Sequence, residues 1–303
     1  MNISKAGTGK IMHHAWEKGI VIPGFNIPYL PMMEPVVKAL SDTGTFGLIM
    51  VARLEWIKFK AGSPKHIFDE YQKYKNMQYT RLHLDHVPVI DEDGQKTDFE
   101  KIISEAIEIG YDSVMIDGSR LPLEKNIKHT RKIVKLARQV NIPVESELGA
   151  VMGHEDGPLP PYKKLFAAGK GFTSPGEALH FVNETGTDWL SVAIGNIHGA
   201  ISAISRNKAK IKARLDIPHL AKIHEMVKIP LVLHGGTGIR KGYLLESFKH
   251  GMAKINIATA IRQPYEKLME LSVKSAQQAV YEKMINIINN KLEIAGSAKR
   301  IIH

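Results

Sequence analysis

Three histidines stand at the ends of apolar runs: His86 in LHLDH (Leu82–His86), His198 in AIGNIHG (Ala193–Gly199) and His234 in LVLHGG (Leu231–Gly236). One such histidine is ordinarily a hydrogen-bonded core or surface group. Three on separate runs, with carboxylates beside them, point to a metal centre. The chain has no cysteine, so a tightly held ion must be taken by His, Asp and Glu. Three imidazoles leave a coordination position open, the usual arrangement for catalytic zinc, which polarises a carbonyl and stabilises the charge that forms beside it. His83 lies in the same run as His86 at odd spacing, so a regular strand aims the two at opposite faces and only one enters the site. Further carboxylates end runs at Asp117 (VMIDGS) and at Glu145 and Glu147 (PVESELG), the last two sharing a face. They read equally as supporting or alternative metal ligands and as a structural network inside the fold. After His234 the chain continues as GGTG, a turn whose backbone N–H groups and small hydroxyl suit a phosphate.

These side chains need a scaffold that brings run ends together. Eight β-rich apolar runs recur: Gly19–Asn26, Phe46–Val51, Thr80–His86, Asp112–Asp117, Ile142–Glu147, Trp189–Ile194, Ile229–His234 and Ala253–Ile257. Helical periodicity occupies Phe99–Ile109, Leu123–Val140, Pro175–Glu184 and Leu215–Val227 between them, and Ser174-Pro175 reads as an N-cap with proline at the first helical position. Strand–helix alternation predicts a (β/α)8 TIM barrel, with an open doubly wound sheet as the alternative. In a barrel the carboxyl ends of the strands form the active site. Residues 1–303 read as one barrel domain, with residues 263–303 as a C-terminal helical extension that packs on the barrel or reaches another subunit. Two connections are long, Gly149–Thr173 and Gly195–Ile217, and such loops commonly bind ligands. The second contains RNKAKIKAR (Arg206–Arg214), with a basic residue at every second position.

Composition narrows the class. With 44% hydrophobic and 24% charged residues the chain is ordinary and globular. It contains no apolar run of membrane-spanning length and no signal-peptide core, so a cytoplasmic enzyme with no membrane partner is expected. The net charge of +10 is uneven: residues 1–150 carry 20 basic and 19 acidic side chains, the remainder 21 and 12. No nucleic-acid-binding signature accompanies that excess, so a phosphorylated small molecule is the expected anionic partner, with solubility as the plainer explanation.

LHLDH, SVMIDGS, VESELG followed by GHEDG, AIGNIHG, PLVLHGGTGI and KINIAT stand in the order found in class II, zinc-dependent fructose- and tagatose-bisphosphate aldolases. The chain resembles that family from about Gly19 to Ile261, and the terminal GSAKR is similar to its ending. The resemblance implies a (β/α)8 barrel that reversibly cleaves a phosphorylated ketose to dihydroxyacetone phosphate and an aldehyde. It implies Zn2+ on His86, His198 and His234, with a monovalent cation as a further candidate. Asp85 would exchange the ketose hydroxyl proton, Glu155 the proton on the carbanion carbon, and Asn26 matches an active-site asparagine. Gly199, Gly235, Thr237, Asn256 and Thr259 would hold dihydroxyacetone phosphate, while Asp117, Glu145 and Glu147 match carboxylates around the metal. A homo-oligomer, dimer or tetramer, is also implied.

The departures cluster at the other end of the substrate. Where the family carries a serine-containing turn after the second strand, this chain reads VARLEWIKFKAGS, with Arg53 and Glu55. The family's DPR segment, whose arginine meets the distal phosphate, is missing, and Gln263–Gln278 is expected to run straight into the final helix. The acceptor aldehyde is therefore expected not to be glyceraldehyde 3-phosphate, with Arg53, Arg262 or the Arg206–Arg214 run as substitute contacts. A metal-dependent sugar-phosphate isomerase or epimerase, and a non-catalytic sugar-phosphate-binding barrel, are the competing readings.

Overall fold

The computed structural model describes residues 2–149, 162–196 and 213–302. Eight parallel strands close into a barrel in chain order: β1 (Ile22–Asn26), β2 (Gly47–Ala52), β3 (Thr80–Pro88), β4 (Ser113–Asp117), β5 (Val144–Leu148), β6 (Trp189–Val192), β7 (Leu231–Leu233) and β8 (Met252–Ile257), with β1 paired to both β2 and β8. The fold is a (β/α)8 TIM barrel with additional C-terminal helices, and the open sheet is excluded by that closure. Seven of the expected runs bracket the observed strands or differ from them by one residue; β3 instead extends past His86 to Pro88. β6 and β7 stop early, leaving Ile194 and His234 beyond the ladder at the barrel mouth.

Helices α1 (Thr8–Glu17), α2 (Met33–Asp42), α3 (Arg53–Lys58), α4 (Pro64–Tyr74), α5 (Phe99–Ile109), α6 (Leu123–Arg138), α7 (Tyr162–Ala167), α8 (Pro175–Thr185), α9 (Ile217–Val227), α10 (Lys241–Phe248) and α11 (Thr259–Leu268) flank and connect the strands. Ser174 caps α8 as expected, accepting from the Glu177 N–H, with Pro175 first in the helix. The period-two rule sorts the barrel cleanly. Ile49, Val51, Leu82 and Leu84 face the helices, whereas Leu48, Met50, Ile22 and Val232 turn inward with Trp189. Ile3, Ile11 and Met12 join that inner cluster and close the amino-terminal end of the barrel. Fully burying each such aliphatic side chain contributes about 1.5–3 kcal/mol. A Cβ on Gly24 would lie 2.3 Å from the Met50 sulfur, so a side chain there would force the end of Met50 to move.

The chain after α11 does not run straight into one long helix. It breaks at residues 269–272, α12 (Val273–Asn286) restarts behind a Ser272 cap, and a π-type turn at Ile287–Leu292 leads to α13 (Ser297–Ile302). This extension packs on its own barrel. Gln277 donates to the Pro31 carbonyl (2.9 Å), Tyr281 to Asp42 (2.8 Å), and the Gly296 N–H to the Thr43 carbonyl (2.8 Å). No helix among the described residues is long and apolar enough to cross a membrane.

At the closed end, Arg81 on β3 is buried and its guanidinium reaches the carbonyls of Ile3 (2.5 Å), Ala6 (3.0 Å), Met77 (2.6 Å) and Thr80 (2.8 Å). Its fixed fork of donors serves four acceptors that no aliphatic residue satisfies. Arg81→Met is expected to lower unfolding stability by about 2–4 kcal/mol, through loss of the charged hydrogen bonds that tie the amino-terminal segment to β3. A urea midpoint equal to that of the wild type would show that Arg81 does not hold the amino-terminal segment.

Candidate active site and metal centre

The upper half of the barrel is polar, and alternation along three strands makes it so. β3 turns His83 and Asp85 inward, β5 Glu145, and β8 Lys254 and Asn256, all buried. Glu145 is the centre of this layer. Its Oε2 accepts from Lys254 Nζ (2.7 Å) and the Trp189 indole N–H (2.6 Å), and its Oε1 lies 3.0 Å from His234 Nε2. Burial alone would raise its pKa, but Lys254, then the hydrogen-bonded His234, hold the carboxyl well below the usual range. His83 is pushed down to about 3, first by burial and then by Lys254, so it is neutral; its Nδ1 lies 2.8 Å from Ser113 Oγ. Regular alternation would turn only one of His83 and His86 inward, but both turn in, His83 within this layer and His86 above it.

Asp85 sits between two amides. Asn256 Nδ2 donates to Oδ1 and Asn26 Nδ2 to Oδ2, each at 2.9 Å. Burial opposes its ionisation, yet His86, then Lys254 and His234, hold it ionised below the ordinary carboxylate range. His86 follows Asp85 directly and would face the helices on a regular strand. Instead its φ is +29° and the β3–β4 register shifts between Leu84 and Val87. The irregularity re-aims the ring into the mouth. There His86 Nδ1 lies 3.2 Å from Asp117 Oδ2 and 3.8 Å from Glu147 Oε2, and its ring centroid is 4.4 Å from that of His234. Glu147 Oε2 also lies 3.0 Å from His234 Nδ1. Burial alone would lower the His86 pKa, but Asp85, Asp117 and Glu147 outweigh it and raise it to about 10.

Negative charge therefore exceeds what the protein's own cations neutralise, which is the electrostatic signature of a cation site. Donor atoms of Asp85, His86 and His234 lie within 4.8 Å of one another, as do those of His86, Asp117 and Glu147. A third group, His83, Asp85 and Glu145, is equally close, but the Lys254 ammonium already stands there, 3.9 Å from Asp85 Oδ1. The mouth groups fit a divalent ion; the inner group is served by lysine. Of the three histidines read as ligands, His86 and His234 are brought together, while His198 lies outside the described residues with Glu155 and Gly199.

Beside His234 the glycine turn lies against β8. Gly235 has φ +74°, and a Cβ on Gly236 would lie 2.6 Å from Ile255 and 3.0 Å from the Asn256 carbonyl. Thr259 opens α11, where Ala258 offers no side-chain cap, so the first amides of that helix remain available to an anion. Lys291, from the extension, donates to the carbonyls of Gly236 (2.9 Å) and Thr237 (2.8 Å). Neither Lys291 nor Lys254 was identified from sequence as a site residue. Alternation on β8 carried a signal for Lys254, in phase with Asn256, whereas nothing local marks Lys291. Glu55 was noted only as a departure, and it too enters the site. Its Oε2 accepts from the Ala52 N–H (2.7 Å) and from Asn26 (3.3 Å), and burial, then the charge of Asp85, pushes it up to about 8. Arg53 and Arg262 are committed to carboxylates: Arg53 lies 3.5 Å from Asp91, and Arg262 contacts both oxygens of Glu266 at 2.6 Å. Asn196 braces the mouth, its side chain linking the Ile194 N–H (2.9 Å) to the His234 carbonyl (3.2 Å). The described roots of the two long connections meet at Tyr162, whose hydroxyl lies 2.9 Å from the Gly195 carbonyl and accepts from the Arg214 N–H at 3.0 Å.

Residues 6–300 match the family model described as fructose-bisphosphate aldolase class-II. The chain belongs to this family. It is an aldehyde-lyase of the class II aldolase type. It is similar to the YdjI aldolase from Escherichia coli K12, at 25% identity and a TM-score of 0.73 over 96% of this chain and 99% of that one. A putative fructose-1,6-biphosphate aldolase from Coccidioides immitis shares the fold, with 23% identity, a TM-score of 0.76 and coverage of 98% and 99%. So does a fructose-bisphosphate aldolase from Campylobacter jejuni, with 19% identity, a TM-score of 0.69 and coverage of 99% and 97%.

In this class II aldolase the buried Lys254–Glu145 pair supports the whole polar layer. Lys254→Met is expected to cost about 3–5 kcal/mol of stability, because it leaves a buried carboxylate without its cation. Adding Glu145→Gln should recover part of that loss. A single variant as stable as the wild type by denaturant titration would remove Lys254 from this role.

Proposed function

We propose that this aldolase reversibly cleaves a phosphorylated ketose, with zinc, to dihydroxyacetone phosphate and an aldehyde other than glyceraldehyde 3-phosphate. The observation that carries the reading is the ionised Asp85, clamped by Asn26 and Asn256 next to His86 and His234. His86 and His234, with His198 by motif match, would hold the metal. When bound, zinc supplies a Lewis acid at the ketose carbonyl. Asp85 takes the proton from the hydroxyl whose carbon becomes the aldehyde, and its two amide partners keep it charged until then. Glu155, by motif match, returns a proton to the dihydroxyacetone phosphate carbon. Gly199, Gly235, Thr237 and Thr259 would cradle the phosphate through backbone and hydroxyl donors, and Asn256 Oδ1, buried and without a hydrogen-bond partner among the described residues, is free to accept from a substrate hydroxyl. The protein would act in the cytoplasm as a homo-oligomer, with neither nucleic acid nor membrane as partner.

Purified protein is expected to carry about one zinc per chain, removed by a chelator together with activity. Asp85→Ala should keep the metal and lose cleavage by about 10²–10⁴-fold, the ordinary contribution of a positioned base. His234→Ala and His198→Ala should lose metal. The assay couples dihydroxyacetone phosphate release to a dehydrogenase, which also separates cleavage from isomerisation and from mere binding. Undiminished activity in Asp85→Ala would remove its role, and rapid cleavage of fructose 1,6-bisphosphate would remove the acceptor assignment.

A further inference from the structure

Among the described residues, Glu55 is the one buried carboxyl of the mouth that neither the metal site nor the proton relay uses. It enters from the first turn of α3, directly after β2, between Asn26 on β1 and Asp85 on β3. Because Asn26 faces two carboxyl groups, its NH₂ must point at both, giving one hydrogen to Asp85 (2.9 Å) and the other to Glu55 (3.3 Å). The amide thus ties Glu55 to the base. Glu55 Oε2 is occupied by Ala52 and Asn26, whereas no described residue hydrogen-bonds to Oε1.

Position says which part of a substrate meets it. In the closed strand order Glu55 follows β2, next to Asp85 on β3, whereas the Gly235–Gly238 turn follows β7, beyond β1 and β8 around the barrel. A ketose with its phosphate on that turn and its carbonyl near His86 and His234 extends its remaining carbons over Asp85 toward β2. The atoms just beyond the cleaved bond then come to Glu55. That wall is unsuited to a second phosphate: Arg53 is paired with Asp91 and Arg262 with Glu266, and a carboxyl group stands where the anion would arrive.

We infer that Glu55 reads the aldehyde partner, its carboxyl hydrogen-bonding the hydroxyl next to the carbonyl of an uncharged hydroxyaldehyde and rejecting a phosphorylated one. This rests on the aldolase reading above. A site built to hydrogen-bond a hydroxyl discriminates strongly, because an unmatched polar group is left buried.

The test condenses dihydroxyacetone phosphate with glyceraldehyde or with glyceraldehyde 3-phosphate, using the zinc-loaded full chain, and compares the kcat/KM values. Wild type should favour glyceraldehyde by about tenfold or more, and Glu55→Ser should shift that ratio by about tenfold towards the phosphorylated aldehyde. Glu55→Gln keeps the side-chain shape and replaces one carboxyl oxygen by an NH₂ donor that suits a phosphate; it should shift the ratio in the same direction, and it decides the matter if Glu55→Ser fails to fold. A ratio unchanged in the folded variant, or a wild-type preference for the phosphorylated aldehyde, overturns the role of Glu55 while leaving an aldolase. Failure of wild type to condense either aldehyde, or to release dihydroxyacetone phosphate from any phosphorylated ketose, strikes the aldolase reading itself and this inference with it.

Discussion

A carboxylate with no exposure to water organises this barrel. Glu145 gathers an ammonium from β8, an indole N–H from β6 and an imidazole from the end of β7. Removing such a group from water is costly, and only well-aligned partners offset the cost. Those partners come from strands far apart in sequence, so the charge is tolerable only once the barrel has closed. The same ammonium stands 3.9 Å from Asp85 and helps to keep it ionised. Fold closure and the ionised state of Asp85 therefore share one interaction.

Above that layer the geometry departs from regularity where the chemistry needs it. A straight β3 can aim Asp85 or His86 into the mouth, but not both, because neighbours on a strand point to opposite faces. The positive φ at His86 and the register shift after Leu84 let consecutive residues serve the same site. Such backbone is held by its surroundings, here by the contacts of His86 with Asp117 and Glu147. The C-terminal extension has a comparable role at the other side of the mouth. Lys291 holds two carbonyls of the glycine turn, so a segment distant from the chemistry sets the shape of the proposed phosphate cradle. Asn26 then links the base to the wall of β2, where this chain carries a carboxyl in place of a serine-containing turn.

The amino-acid order alone determined the eight strands, the helices from Phe99 and from Pro175, and the grouping of His86, His234, Asp85, Asp117, Glu145 and Glu147. Those features are local: apolar alternation, capping residues and polar side chains at run ends carry them within a few positions. Closure of the sheet, the inward turn of His86, the Lys254–Glu145 pair, the reach of Lys291 and the pairing of Arg53 and Arg262 with acids were decided by tertiary structure. All but the Arg262–Glu266 pair join groups separated by tens to hundreds of residues, and a buried charge acquires its partner only when the strands around it meet. Even the four-residue Arg262–Glu266 pair became informative only through Tyr29, whose hydroxyl donates to the same Glu266 across the barrel rim.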